Sequence, residues 1–244
     1  MLRIKTVRSL YNASPPMAKN QKIISDIFKV TSIPKLFWTS VKTYTLRPNP
    51  ISFVMLVFGL AMFGLGEAFL IAAGVGVSPW TVLAQGVSEI LGWSVGTSTF
   101  FISSFVLFLW LPLKQKPGLG TILNIIIVAL VLDFSVPYLP SFESNILRIL
   151  MAAAGVFITG FGGAIYLIAN LGPGPRDGLM TGLVRITKSP IAWVRGIIEV
   201  TAVTLGWLLG GVAGVGTILF AFGIGPALAT SILILRRVFG EQSS

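Results

Sequence analysis

The 244-residue chain contains no cysteine and no histidine. Disulfides, thiolate nucleophiles, imidazole bases and the usual zinc ligands are excluded, and with them the commonest hydrolytic and metal-dependent chemistries. Charge is scarce too: Asp, Glu, Lys and Arg make up 11 % of the residues, against ~25 % in a soluble domain. What fills the chain is apolar, with 54 % hydrophobic residues and a mean hydropathy of +0.88. Exposing that much apolar surface to water costs ~25 cal/mol per Å², so lipid is the solvent this composition requires. No P-loop, dinucleotide fingerprint or nucleophile elbow is present. The composition predicts an integral membrane protein, with no enzymatic activity, metal or cofactor.

The formal net charge is +10, and nine of the eighteen Lys and Arg precede Ile51. A basic stretch beside a membrane span reads as a topology signal and a contact for anionic lipid; no groove-reading motif accompanies it, so no nucleic-acid partner is expected. Residues 1–50 hold no apolar core of the signal-peptide kind. Basic and poor in acids, they also resemble an organelle transit peptide. Within them, residues 22–42 are amphipathic, with Ile23, Ile24, Ile27, Phe28, Val30, Leu36, Phe37 and Trp38 among lysines. This stretch suits a helix lying on the membrane surface, or a flexible tail.

About 20 apolar residues cross ~30 Å of hydrocarbon. Residues 51–73, 97–113, 118–139, 149–171, 191–210 and 216–235 meet that demand. Residues 79–91 and 175–186 are apolar but too short, and suit re-entrant or interfacial helices. Shifting the chain by 96 positions aligns residues 55–134 with 151–230 without a gap, and 20 of the 80 pairs are identical. Among them are Gly59/Gly155, Gly66/Gly162, Gly76/Gly172, Pro79/Pro175 and Gly86/Gly182. Shared apolar composition does not readily align glycines and prolines at one offset. The expected fold is an all-α bundle of two repeats, 51–140 and 149–237, each with three spans and one short helix, after a basic tail over 1–50. With the tail in the cytoplasm, Lys114, Lys116, Arg176, Arg185, Lys188, Arg236 and Arg237 fall inside and Arg148 outside. This is the positive-inside pattern with both termini cytoplasmic. An odd number of spans per repeat inverts the second copy.

Two matching breaks draw attention. Gly74-Val-Gly-Val-Ser-Pro-Trp-Thr81 and Asn170-Leu-Gly-Pro-Gly-Pro-Arg-Asp-Gly178 each read as a glycine-rich interruption followed by a helix start. Ser78 and Gly174 suit the cap, and Pro79 and Pro175 the first turn. A helix N-terminus at membrane depth binds anions or carbonyl groups, and paired broken helices mark transporter sites. A plain helix–loop–helix joint at the interface gives the same pattern. Trp80 and Thr81 align with Arg176 and Asp177, so the copies differ where a solute would be touched. Ser78, Trp80, Thr81, Arg176 and Asp177 are the candidate substrate-binding residues. Arg176 and Asp177 also fit a topology signal and a helix-end charge.

At these strings the sequence resembles the YczE-type bacterial membrane proteins, the YczE/YyaS/YitT group. The motifs are Gly76-Val-Ser-Pro-Trp-Thr-Val-Leu83 and Leu171-Gly-Pro-Gly-Pro-Arg-Asp-Gly-Leu-Met180, and the similarity covers residues 51–237. The resemblance implies a bacterial cytoplasmic-membrane protein and supplies no catalytic or binding residues. The basic tail is an addition to the usual pattern.

Acids inside spans are expensive and often functional. Glu67, Asp133 and Glu199 stand in predicted spans, each in one copy alone, opposite Gly163, Ala229 and Ser103. Glu67 and Glu199 are candidates for proton or cation coupling. Glu199 also lies four residues after Arg195, at the spacing of a helical ion pair. Three functions fit: a small secondary transporter for an unidentified solute, a membrane scaffold recruiting a soluble partner through residues 1–50, or a lipid-acting enzyme built on Glu and Asp alone. The first absorbs the repeat, the breaks and the acids together.

Overall fold

The computed structural model describes residues 33–241. Among these there are eight α-helices and no strand: α1 Pro50–Ala73, α2 Pro79–Leu91, α3 Val95–Phe108, α4 Leu119–Ser135, α5 Asn145–Ala169, α6 Pro175–Thr187, α7 Ile191–Leu208 and α8 Val215–Phe239. A single 3₁₀ turn, Val136–Tyr138, extends α4. Local chemistry sets the boundaries. Asn49 accepts a hydrogen bond from Ile51 N–H and Pro50 fills the first turn of α1, where its missing N–H costs nothing. Gly74 and Asn170 close α1 and α5 in the left-handed conformation (φ +62° and +53°), as C-terminal caps require.

Five helical segments are long and apolar enough to cross a membrane: Pro50–Ala73, Leu119–Tyr138, Asn145–Ala169, Ile191–Leu208 and Val215–Phe239. Six spans are expected from the sequence; five stand as single helices, and a sixth is reached only if the bent α2–α3 pair is one span. The apolar run 97–113 is not one helix. α3 has 14 residues, about 21 Å at 1.5 Å per residue, and the chain then turns through residues 109–114. Pro112 has no N–H to continue the ladder, and the Arg185 guanidinium takes the Leu113 carbonyl. α2 and α3 together pass the span criterion but bend by 113° at the break between them.

The centre of the bundle is the α1–α5 pair, built on glycine. Gly59 faces the Gly162 carbonyl, and Gly66 faces Gly155 and Thr159, so a Cβ at either position would strike backbone of the other helix. Gly59 opposite Gly162 and Gly66 opposite Gly155 fixes the pair as antiparallel. Small residues permit this backbone-to-backbone approach. Gly64 lies against Val128 and Val131 of α4, and Gly160 against Ala227 of α8. Contacts in ascending register make α4 parallel to α1 and α8 parallel to α5.

Each glycine-rich break is pinned by the start of a distant helix. Gly216 N–H donates to the Val75 carbonyl at 2.8 Å, and Gly120 N–H to the Leu171 carbonyl at 2.7 Å. Gly76 and Gly172, at φ +112° and +119°, abut Gly214 and Gly118 respectively. The two sets are related by the same 96-residue offset that aligns the sequence. Of residues 22–42, residues 22–32 lie outside the described part. Residues 33–42 are not helical; Leu36 and Trp38 are fully buried, and Trp38 packs edge-on against Phe239 at 5.3 Å. Asn170 Nδ2 donates to the Ser40 carbonyl at 2.9 Å and Ser40 N–H to the Ala169 carbonyl at 3.1 Å, so this segment docks on the end of α5.

Candidate functional site

After α1 the chain does not step to a neighbouring span. It turns back at Gly74–Val77 and starts α2 alongside α1, at the level of Glu67. Glu67 is fully buried, and its Oε2 accepts hydrogen bonds from Ser78 Oγ and Thr81 Oγ1, each at 2.7 Å. Those hydroxyls sit at the cap and third residue of α2. Ser78 directs its hydroxyl to Glu67 and does not cap its own helix. Glu67 Oε1 is buried without a partner. The α5–α6 break repeats the manoeuvre. α6 starts beside Tyr166, whose hydroxyl donates to Asp177 Oδ2 at 3.0 Å. No side chain caps the first N–H groups of α6.

The N-terminal residues of the two short helices thus border the same space. The Arg176 guanidinium lies over the Trp80 ring, 5.4 Å from its centroid, a cation–π contact between the second residues of the two helices. Around this junction is a cavity of about 210 Å³. Trp80, Arg176, Asp177, Tyr166 and Asn124 supply its polar groups; Phe63, Met180, Ile198, Phe220, Ile224 and Leu228 supply its apolar wall, and Thr159 borders it with its hydroxyl turned to Gly66. Arg195 and Glu199 also border it, joined in an ion pair at 2.8 Å. Among the described residues, Arg176 forms no salt bridge and donates no hydrogen bond to the protein.

Of the residues singled out in the sequence, Trp80, Arg176, Asp177 and Glu199 line the cavity. Ser78 and Thr81 do not; they face away from it, onto Glu67, one layer behind α2. Glu199 forms the i,i+4 pair with Arg195. Asp133 is not near the cavity. It is exposed at the end of α4, where Oδ2 accepts from Ser94 Oγ at 2.6 Å and Oδ1 from Gly96 N–H at 2.8 Å, capping α3. Sequence reasoning did not select Tyr166, Asn124 or Thr159. Polar residues inside apolar runs were the available signal, but a run does not say which of its faces meets a cavity.

The Gly-Pro-Gly-Pro-Arg-Asp-Gly string has a physical account. Gly172 takes the positive φ of the turn, and Gly174 passes close to Asp177 and Tyr166. Any Cβ on Gly178 would lie inside the Trp110 ring, and Trp110 Nε1 donates to the Pro175 carbonyl at 3.0 Å. Trp110 thus seats the α6 N-terminus.

A bundle of apolar helices around a buried polar junction defines a polytopic α-helical membrane protein. Residues 51–232 match the Family of unknown function (DUF6198). An "Uncharacterized protein" of Haemophilus influenzae is 40 % identical over 210 residues, 86 % of this chain and 95 % of that protein. The "Uncharacterized membrane protein YczE" of Bacillus subtilis is 31 % identical, over 73 % of this chain and 81 % of its own length. The "Uncharacterized protein YyaS" of the same organism is 27 % identical over 74 % of this chain and 92 % of its own. The chain belongs to this YczE-type membrane protein family. No solved structure matches it.

Proposed function

We propose that this protein is a small secondary transporter of the bacterial cytoplasmic membrane, without enzymatic activity, whose solute occupies the cavity between α2 and α6. The observation that carries the reading is the meeting of two broken-helix N-termini at one polar cavity inside an apolar bundle. Transporter sites are built in this way, with half-helix ends supplying unpaired N–H groups and partial positive charge. The cavity of about 210 Å³ has room for a small organic solute.

Two inverted repeats underlie the site on this reading. The support is threefold: the 96-residue sequence offset, the paired contacts at Gly120–Leu171 and Gly216–Val75, and the antiparallel course of α1 and α5. The orientation rests on charge. Arg148 donates to the Ala73 carbonyl at one end of the bundle, where Asp133, Glu143 and Glu89 also gather. Lys114, Lys116, Arg185, Lys188, Arg236 and Arg237 gather at the opposite end, which the positive-inside rule assigns to the cytoplasm.

Glu67 is the coupling residue of this reading. A buried carboxylate without a countercharge is costly, and a proton or small cation at the unpartnered Oε1 removes that cost. Its load-sensing position follows from Ser78 and Thr81, which tie it to the start of α2 and hence to Trp80 in the cavity. The test is flux in proteoliposomes under an imposed proton or sodium gradient, across a panel of carboxylates, amino acids and sugars. One class is expected to accumulate, Arg176→Gln to abolish its uptake, and Glu67→Gln to leave exchange but remove gradient-driven accumulation. Absence of saturable flux across the panel would end the transporter reading. The scaffold alternative recruits its partner through residues 1–50, of which Leu36, Trp38 and Ser40 are buried against the rest of the chain while Val41 and Leu46 stay exposed.

A further inference from the structure

The cavity contains three ionic groups whose partners are assigned and one whose partner is missing. Glu199 is paired with Arg195 at 2.8 Å. Asp177 receives the Tyr166 hydroxyl at 3.0 Å. Arg176 has Trp80 beneath it and no acceptor among the described residues. A guanidinium carries five N–H donors in a planar fork that matches a carboxylate two bonds at a time. Its indole support covers one face and leaves that fork free. Two helix N-termini converge beside it, and their partial charges have the same sign as its own.

The Thr159 hydroxyl does not reach this space; it is buried against Gly66 in the α1–α5 contact. Phe220, Ile224 and Leu228 of α8 give the cavity an apolar lining. Strong donors together with hydrocarbon describe an amphiphile with a single charged head.

We infer that the solute is a small organic monoanion, a carboxylate with a compact apolar body. Its carboxylate is held bidentately by Arg176 at the junction of α2 and α6, and its body lies against Phe220, Ile224 and Leu228. This deepens the transport reading and rests on the same cavity. Asp177 and Glu199 are already engaged by Tyr166 and Arg195, which leaves neither free for a cation, and their charges disfavour a second negative charge on the solute. A zwitterion is the natural competitor, with its ammonium on Asp177; the Tyr166 hydrogen bond to that carboxylate disfavours it.

The experiment is thermal unfolding of the purified full chain in detergent, titrated with benzoate, benzylamine, benzyl alcohol, phenylglycine and sulfate. These probes present one ring with an anionic, cationic, neutral or zwitterionic group, or an anion with no body. Ligand that binds the native state raises Tm in a saturable way. Benzoate alone is expected to do so. Arg176→Gln is expected to weaken it by about 10- to 100-fold, the loss of a charge-assisted pair, and Arg176→Lys by less. The inference is overturned if benzylamine, benzyl alcohol, phenylglycine or sulfate matches benzoate, if benzoate gives no shift, or if Arg176→Gln binds it as the wild type does. Benzoate flux in proteoliposomes separates the two ideas. Binding without flux removes the transporter and keeps the anion site; saturable flux of a cation or neutral solute without benzoate binding does the reverse.

Discussion

At the scale of single residues, the site is made by groups that lack something. Glycines 172, 174 and 178 lack a Cβ where the chain turns and where Trp110 must sit. Gly178→Val would drive Trp110 off the α6 N-terminus and break its bond to the Pro175 carbonyl. Overpacking of this kind costs about 1–3 kcal/mol, so a clear drop in Tm is expected, together with loss of solute-induced stabilisation. Retention of both would separate Trp110 from the site. The prominence of Gly178 was legible in its motif, but the reason was not, because Trp110 lies 68 residues earlier in the chain. Glu67 shows the same limit. Its place in an apolar run marked it as unusual, yet its partners Ser78 and Thr81 come within reach because the chain reverses at Gly74 and Gly76.

At the scale of elements, related helices do not behave alike. α3 packs along α4, whereas α7 and α8, at the corresponding positions, do not pack along one another. Asp133 explains the closed pair: from α4 it takes the Ser94 hydroxyl and the Gly96 N–H at the start of α3. Ninety-six residues on, the corresponding positions are Ala229, Pro190 and Ala192, which offer neither carboxylate nor hydroxyl. The cavity accordingly lies between the first half of α7, at Arg195, Ile198 and Glu199, and the first half and middle of α8, at Phe220, Ile224 and Leu228. Asp133→Ala should release α3 from α4. Spin labels on cysteines placed singly in α3 and α4, convenient in a cysteine-free chain, should report a broader distance distribution. An unchanged distribution would mean that apolar packing alone holds that pair. The short α3 was not legible, since an apolar run reads alike as helix or as a turn capped by Arg185.

At the scale of the whole molecule, the offset of 96 residues was the strongest signal: it placed the two breaks at matching positions and aligned Trp80 with Arg176, but it did not say that those side chains meet. Which helices close and which stand apart was not in that signal, because it depends on Asp133 having no counterpart. Sidedness is directly measurable. Cysteines at Lys114 and Glu143 should react with a membrane-impermeant maleimide from opposite faces, Lys114→Cys from the cytoplasmic face. Labelling of both from one face would refute the assigned topology.

The glycine contacts between α1 and α5 bring backbone against backbone along the middle of the bundle. That makes them a fulcrum, and motion falls to the outer helices. α3 is packed against α4, whereas α7 and α8 stand apart. If the halves traded postures about that fulcrum, the same residues would look out through the opposite side of the bilayer, with no new architecture needed.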